Sequence, residues 1–256
     1  MQYLLTERTD QILTITLNRP EKRNALNSEL VNELKNTLFQ AEEESGIKAV
    51  VLKGEGEAFC AGADLAYLQE LQHNSYEENL QDSTSLMELF KQIFEYPKPI
   101  IACVHGAALA GGCGIATVCD FAIAAEDANF GYTEVRIGFV PAIVMVFLTK
   151  KIGEGKAREL LLSGDIISAK QALEYGLINK VVEKNTEYET SMALASRLAK
   201  QNSAQSMALI KKMLYDMPAT YTEALDYAAS TNAKARSSSD CKKGISAFLN
   251  KEKIVW

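Results

Sequence analysis

Hydrophobic positions along this chain recur with two different spacings, which predict where strands and helices lie. Residues Gln11–Leu17 alternate between apolar and polar, which is typical of a strand with one buried face. Three short continuous apolar runs are typical of strands covered on both faces: Ala49–Leu52, Ile100–Val104 and Phe121–Ala125. Helical spacing separates them, first in a segment that Ser28 can cap and that runs to about Glu44. The alternation predicts an α/β fold.

From Pro141 onward the spacing is helical, and Leu177–Val182 is the last strand-like run. We therefore divide the chain into a core over residues 1–190, which would hold the functional site, and a helical C-terminal region over residues 191–256. The apolar faces of those last helices would dock on another subunit or fold back as a lid. Residues 66–83 are polar, and we expect them to be exposed or mobile.

The chain has 256 residues, of which 47% are hydrophobic and 23% charged, a composition typical of a globular domain with a substantial core. Its formal net charge of −6, with both signs interspersed, argues against nucleic-acid binding. The N-terminus lacks the apolar core of a secretory signal, and no apolar run is long enough to span a membrane, so we expect a cytoplasmic protein. The five cysteines lack metal-type spacing, which predicts reduced, mostly buried thiols and no metal site.

Two turns rich in small residues lie next to predicted helix starts. Phe59–Leu65 (FCAGADL) follows one apolar run, and Gly111-Gly112 opens a helix within the segment Leu109–Gly138. The first N–H groups of a helix have no intrahelical acceptor, and small side chains let a ligand approach them. Two such turns can direct two N–H donors at one oxygen atom, which predicts a site for an anion or an oxyanion.

Glu134 stands between Phe130 and an apolar cluster that begins at Val135. A glutamate is usually exposed, but partial burial here would raise the pKa of its carboxyl and suit it to proton transfer. The polar loop Asn18–Asn24 carries three positive charges, which are typical of a solvated turn or of a contact with an anionic cofactor. The spacing alone does not decide whether Glu134 is exposed or partly buried. It also does not decide whether the loop is a solvated turn or a contact with a cofactor.

Several of these segments occur in an order that resembles the crotonase superfamily, the enoyl-CoA hydratases and isomerases. The resemblance runs from about Gln11 to Val182 and rests on PEKRNAL, AFCAGADL, IACVHGAALAGGCGIATVCDFAIA, FGYTEVRIGFVP and LLSGDIISAKQALEYGLINKVV. It implies a spiral of ββα units with a C-terminal helical region, assembled as a homotrimer or a dimer of trimers. It also implies an acyl-CoA thioester substrate, no cofactor beyond the coenzyme A of that substrate, and a role in fatty acid or branched-chain amino acid catabolism.

The resemblance assigns roles to individual residues. The N–H groups of Ala63 and Gly111 would form an oxyanion hole that stabilises a thioester enolate. Six residues would lie near the CoA moiety: Lys22, Arg23, Ala25, Ala61, Asp64 and Leu65. Typical hydratases carry two catalytic glutamates, but here Gly114 takes the place of the first, and only the second, Glu134, is present.

One acid instead of two leaves three functions open. The first is a hydratase, a lyase that adds water to a 2-enoyl-CoA, and the segment after Glu134 is most similar in motif to bacterial methylglutaconyl-CoA-type hydratases. The second is a Δ3-Δ2 enoyl-CoA isomerase, since one carboxyl can move a proton between C4 and C2. The third is a CoA-thioester-binding protein of low activity. Arg136 would pair either with a substrate carboxylate or with a structural acid. Of the three functions we favour the first.

Overall fold

The computed structural model describes residues 2–64, 66–67, 69, 73–217, 220–250 and 252. Strands and helices alternate up to Val182, and the described residues beyond it contain helices and no strand, as the hydrophobic pattern predicts.

Nine strands form two sheets in this part of the chain. In chain order they are β1 (Leu4–Thr9), β2 (Ile12–Leu17), β3 (Ala49–Gly54), β4 (Ile100–Val104), β5 (Ala107–Leu109), β6 (Phe121–Ala125), β7 (Asn129–Gly131), β8 (Ile166–Ser168) and β9 (Lys180–Val182). The larger sheet has the order β1-β2-β3-β4-β6-β9, in which β1 is antiparallel to β2 and the other neighbours are parallel. The smaller sheet places β7 between β5, which is parallel to it, and β8, which is antiparallel.

Nine α-helices are described. In chain order they are α1 (Ser28–Glu43), α2 (Tyr76–Glu95), α3 (Gly111–Val118), α4 (Ala142–Ser163), α5 (Ala169–Glu174), α6 (Glu187–Gln201), α7 (Ala204–Asp216), α8 (Tyr221–Ser237) and α9 (Ser239–Leu249). Short 3-10 helices cover Pro20–Lys22 and Glu134–Ile137. Two helical segments of α4 meet at Gly153, whose φ of 76° and ψ of 159° are not helical.

The three continuous apolar runs form β3, β4 and β6, and nearly all of their residues are buried, which confirms the prediction. In β2 the prediction of one buried face is wrong, because all six of its residues are buried. The reason is that α6 covers the second face, where the Thr14 hydroxyl lies 3.2 Å from the hydroxyl of Tyr188 and so has a polar partner.

Four strands have no counterpart in the predicted pattern. In β1 only Leu4 is buried, and β5, β7 and β8 have three residues each, too few to show a period. Within the polar segment 66–83, the residues from Tyr76 onward begin α2, because Ser75 and Glu78 form a capping box. Residues 68 and 70–72 of that segment lie outside the described residues. At α1 the N-cap is Asn27 rather than Ser28, since the Asn27 side chain accepts a hydrogen bond from the Leu30 N–H.

Helices cover both faces of the larger sheet. The main core, which includes α1, α2 and α3, lies on one face, and α6 packs on the other through Ala195 and Leu198. The boundary drawn at residue 190 falls inside α6, so the packing groups this helix with the sheet. The assembly and lid roles of the C-terminal region stay predictions.

Four of the five cysteines are buried and all five are free, which confirms the prediction of mostly buried thiols. Among the described helices, none combines the length and the apolar character that a bilayer crossing requires.

Asn24 ties together the loops that follow β2 and β3. It is fully buried with a φ of 56°, a conformation that asparagine tolerates better than most residues. Its side chain accepts a hydrogen bond from the Arg19 N–H (2.9 Å) and donates to the carbonyls of Glu55 (2.8 Å) and Ala58 (2.7 Å). One side chain therefore holds the start of the loop at residues 58–64 in place.

Replacing Asn24 with alanine would leave three backbone groups without their side-chain partner, and two of them, the Arg19 N–H and the Ala58 carbonyl, are buried. We expect Asn24→Ala to lower the free energy of unfolding by about 3 kcal/mol, measured by urea denaturation. The matched control is Asn18→Ala, which removes one bond from the side chain to the Gln2 carbonyl, and should cost about 0.5 kcal/mol or less. Equal losses in the two variants would contradict the role assigned to Asn24.

Candidate functional site

The two turns singled out by the sequence lie against each other. The Cys60 N–H donates to the Ala107 carbonyl and the Leu109 N–H donates to the Cys60 carbonyl, both at 3.0 Å. A Cβ atom on Gly62 would lie 2.8 Å from the Cβ of Ala110, and one on Gly112 would lie 2.1 Å from the Cys60 oxygen. The approach therefore requires glycine at both positions.

This contact brings the two predicted N–H donors to neighbouring loops. Ala63 follows Gly62, and Gly111, the first residue of α3, follows Ala110. Within the part of the chain that the structure describes, neither the Ala63 N–H nor the Gly111 N–H has a hydrogen-bond acceptor. Both groups are available to a ligand oxygen.

Ala110 sets the direction of the peptide group that carries the Gly111 N–H. Its φ of 49° and ψ of −124° form a conformation that residues with a Cβ rarely adopt. The Ala110 N–H donates to the Gly131 carbonyl at 2.7 Å, which holds this conformation from the side of β7. Strain of this kind persists where the surrounding structure fixes the backbone.

Glu134 begins the 3-10 helix that follows β7, and it is half-buried, which is one of the two alternatives that the spacing left open. Its Oε2 atom is buried and has no hydrogen-bond partner in the described structure. Burial raises the pKa of the Glu134 carboxyl, and a hydrogen bond with its own backbone opposes the shift only in part. A buried carboxyl oxygen without a partner is costly, so its presence points to a ligand or a proton-transfer role.

Hydrocarbon fills the space beside Gly114, where the first acid is absent. A Cβ atom on Gly114 would lie 2.7 Å from Val144 Cγ2 and 3.1 Å from Phe90 Cζ. Both Val144 and Phe90 are buried, so the described structure places no polar group at this position of α3.

A buried ion pair lies beneath the loop of residues 58–64. Arg19 and Asp64 are paired at 2.7 Å, and both are buried. Burial alone would raise the pKa of the Asp64 carboxyl, but the hydrogen bond and charge of Arg19 outweigh it and hold the pKa below its ordinary value. Arg19 also donates to the Ala25 carbonyl of its own loop at 2.5 Å. Its pair with Asp64 joins this loop, which follows β2, to the loop that follows β3.

The residues predicted near CoA occupy different positions on these loops. Lys22 and Arg23 are exposed, Ala61 is half-buried, and Ala25 is buried. The Ala61 N–H donates to the Arg23 carbonyl at 3.0 Å, so the cations and the small-residue turn are adjacent. Leu65 lies outside the described residues. Arg136 forms an exposed pair with Asp165 at 3.5 Å, one of the two partners considered from the sequence.

Arg19 and Asn24 are structural residues that the sequence analysis did not single out. Arg19 was counted only among the charges of a polar loop, and nothing in its neighbourhood identifies Asp64, 45 residues away, as its partner. The positive φ of Asn24 has only a weak signal in the sequence, namely that Asn24 is a polar residue in the same loop as Pro20.

Comparison with known proteins adds three findings. The family model described as "Enoyl-CoA hydratase/isomerase" matches residues 7–256. The "Putative enoyl-CoA hydratase" of Thermus thermophilus is 43% identical over 241 residues, and the match covers 94% of this chain and 95% of that protein. The short-chain-enoyl-CoA hydratase of Clostridium acetobutylicum is 33% identical, and the match covers 98% of this chain and 96% of that protein. The crystal structure of an enoyl-CoA hydratase from Mycobacterium smegmatis superposes with a TM-score of 0.92 at 32% identity, covering 100% of this chain and 99% of that one.

Removing the Asp64 carboxylate tests the buried pair. Asp64→Ala leaves a buried guanidinium without a counter-charge, and we expect a loss of about 3–5 kcal/mol in the free energy of unfolding at pH 7. Lys200→Ala, which breaks an exposed pair with Asp10, is the control and should cost about 1 kcal/mol or less.

The same pair predicts a dependence on pH. Because the folded-state pKa of Asp64 lies below the ordinary value of about 4, its stabilisation is complete above that value and is lost as the pH falls through the folded-state pKa. The difference between wild type and Asp64→Ala should therefore shrink in acid. A difference that stays constant down to pH 2 would contradict the assignment.

The packing at Gly114 gives a second prediction. Gly114→Ala forces a methyl group against Val144 and should destabilise the protein by about 1–3 kcal/mol in urea denaturation. In a Val144→Ala background the added cost should fall, because the contacting methyl group is gone. Gly155→Ala is the control: no atom lies within 4 Å of its added Cβ, and alanine in a helix should stabilise by about 0.5–1 kcal/mol. A Gly114→Ala variant as stable as wild type would show that the position is not closed.

Proposed function

The chain belongs to the enoyl-CoA hydratase/isomerase family, and on that premise we propose that it is a lyase that adds water to a 2-enoyl-CoA thioester. Family membership and the solved relatives also confirm the crotonase-like α/β fold implied by the resemblance. The assignments to individual residues below are proposals.

The observation that carries the proposal is the buried, unpartnered Glu134 Oε2 in a structure whose Ala63 and Gly111 N–H groups are also free. Glu134, as a carboxylate, takes a proton from water while the water oxygen forms a bond to C3 of the substrate. The electrons of the C2–C3 double bond move toward the thioester oxygen, where the two N–H groups stabilise the developing charge. Glu134 then gives its proton to C2, which yields a 3-hydroxyacyl-CoA and restores the carboxylate. One such N–H donor contributes roughly 3–4 kcal/mol in other enzymes.

The raised pKa of Glu134 suits both halves of this reaction. A carboxyl whose pKa lies above its ordinary value is a stronger base when ionised and is closer to the working pH when it must act as an acid. The starting form is the carboxylate, so activity should rise with pH through a midpoint above that of an ordinary glutamate.

The hydrocarbon at Gly114 also favours a second candidate, a Δ3-Δ2 enoyl-CoA isomerase. Val144 and Phe90 lie beside Gly114, so of the two positions that carry glutamates in typical hydratases only Glu134 has an acid. A single carboxyl suffices to move a proton between C4 and C2. We favour the lyase because the relatives above carry hydratase names. A CoA-thioester-binding protein of low activity is the third candidate.

For the CoA moiety we propose a path along the loops of residues 22–25 and 61–64. Lys22 and Arg23 are exposed cations that can meet phosphate groups, and the small Ala25 and Ala61 would leave the backbone accessible. Asp64 would act through Arg19, to which its carboxylate is bound, by fixing the loop. Coenzyme A enters as part of the substrate, and the proposal needs no further cofactor.

For the acyl group of the substrate we propose a branched group of the methylglutaconyl type. Arg136 would have to leave its exposed pair with Asp165 to bind a second carboxylate of such a substrate.

The exposed apolar residues after Glu134 support the proposed trimer or dimer of trimers. Their exposed fractions lie between 41% and 68%, which is unusual for a cluster so close together: Val135, Ile137, Phe139, Val140, Met145 and Val146. Contact with another copy of the chain would cover them.

Substitution of Glu134 tests the function. We expect Glu134→Gln to lower turnover by roughly 10²- to 10⁴-fold while thioester binding stays within about twofold, because the amide keeps the shape but cannot carry the proton. Glu154→Gln is the control, since Glu154 pairs only with Arg158 on the surface. The measurement is mass spectrometry of products formed in deuterated water from a panel of 2-enoyl- and 3-enoyl-CoAs, including a methylglutaconyl thioester.

Each candidate has its own result in this experiment. Addition of one water to a 2-enoyl thioester, lost in Glu134→Gln, supports the lyase. Migration of the double bond in a 3-enoyl thioester without added water would replace it with the isomerase. Tight binding without turnover by either protein would favour the binding protein, and full turnover by Glu134→Gln would remove Glu134 from the mechanism.

A further inference from the structure

A buried polar network joins α3 to the segment that carries Glu134. The Tyr132 side chain is fully buried, and its hydroxyl lies 2.6 Å from the Thr117 hydroxyl oxygen. The Thr117 hydroxyl donates to the Cys113 carbonyl at 2.8 Å. The two hydroxyls share one hydrogen bond, in which either oxygen can be the donor.

The network also includes the Cys113 thiol, which interacts with the Tyr132 hydroxyl and with the backbone of Gly131. Burial raises the pKa of the Cys113 thiol to about 11 and the pKa of Tyr132 well above its ordinary value, so both groups are neutral near pH 7. The network therefore acts through hydrogen bonds and not through charge.

Tyr132 is the buried residue nearest to Glu134 along the chain. From Thr133 to Val140, all of which the structure describes, no residue is buried, and the next buried residue is Pro141. Glu134 lies two residues from Tyr132, on a single turn of 3-10 helix. The position of its carboxyl thus depends on where Tyr132 is held.

The other end of the network is on the helix that supplies an oxyanion donor. Cys113 and Thr117 belong to α3, which begins with Gly111. The Ala110 N–H donates to the Gly131 carbonyl, so the start of α3 is also joined to the residue before Tyr132. The acid and the Gly111 N–H are therefore two ends of one connected unit.

We propose that the Tyr132 hydroxyl is a positioning group, which fixes Glu134 relative to the Gly111 N–H through its hydrogen bond with the Thr117 hydroxyl. The inference rests on the proposed function, since it assumes that Glu134 carries the proton. Tyr132 itself need not touch the substrate.

Kinetics of matched variants test this role. Tyr132→Phe and Thr117→Val each remove one hydroxyl from the network, and we expect each to lower kcat by roughly 10- to 100-fold, because a displacement of about 1 Å can cost that much, with KM within about twofold. Thr117→Ser keeps the hydroxyl and should retain wild-type kinetics. The substrate is the enoyl thioester that wild type converts in the panel above.

Tyr96→Phe controls for loss of a buried hydroxyl elsewhere. Tyr96 is as buried as Tyr132, and its hydroxyl donates to the Leu38 carbonyl at 2.8 Å, at the end of α2. We expect Tyr96→Phe to lower the thermal midpoint about as much as Tyr132→Phe while kcat stays unchanged.

The titration of Glu134 provides a readout that needs no turnover. If Tyr132→Phe loosens the segment, water reaches the carboxyl, and the midpoint of Glu134, followed by carbon-13 NMR, moves down toward that of an ordinary glutamate. The titratable groups coupled to Glu134 in the described structure are Cys113 and Tyr132, while Arg136 pairs with Asp165. Thr117→Val should give the same shift, and Tyr96→Phe none.

The outcomes separate the two proposals. In the first outcome Glu134→Gln is inactive, while Tyr132→Phe and Thr117→Val have the same kcat and the same Glu134 titration as Tyr96→Phe. Positioning by Tyr132 is then overturned and the proposed function stands. If Glu134→Gln retains wild-type turnover, the proposed function fails and the role of Tyr132 fails with it. Loss of kcat in Thr117→Ser equal to that in Thr117→Val would also overturn the positioning role, since the hydroxyl would then not be the cause.

Discussion

Close approach of two backbone segments, Cys60–Gly62 and Leu109–Gly112, is the constraint on which the candidate site depends. Side chains at Gly62 and Gly112 would overlap the facing loop, and two hydrogen bonds between Cys60 and the β5 segment hold the loops together. Because the two donors are backbone N–H groups of these loops, their positions are fixed by the fold and need no rearrangement when charge develops on a bound oxygen.

The local costs of this arrangement are offset by the structure around it. The rare backbone conformation of Ala110 costs about 1–3 kcal/mol of stability. The buried Glu134 Oε2 atom, which has no hydrogen-bond partner among the described residues, costs a similar amount, about 1–3 kcal/mol. Around them, Asn24 satisfies three backbone groups, and the Arg19–Asp64 pair joins the loop after β2 to the loop after β3. These contacts thus hold the loop of residues 58–64, which packs against the strained Ala110.

The sequence predicted those features that depend on local chemistry. The small-residue turns and the buried strands β3, β4 and β6 each follow from a few neighbouring residues, whereas at Glu134 the neighbouring residues left exposure and partial burial both open. Features that depend on residues distant in the chain were not predicted. Neither the partner of Arg19, nor the hydrocarbon that Phe90 and Val144 place against Gly114, has a local signal. The same holds for β2, whose polar residues are buried because α6, far along the chain, covers them.

A single acid changes what the site must achieve. In the proposed reaction Glu134 takes a proton at one moment and returns it at the next, so one carboxyl must reach both the water and C2 of a thioester whose oxygen is held by Ala63 and Gly111. Two acids could each be placed for one step, whereas one acid must satisfy both geometries from one backbone position. The tolerance for displacement is correspondingly small. That requirement gives a physical reason for a buried network that joins Tyr132, beside the acid, to the helix that begins with Gly111.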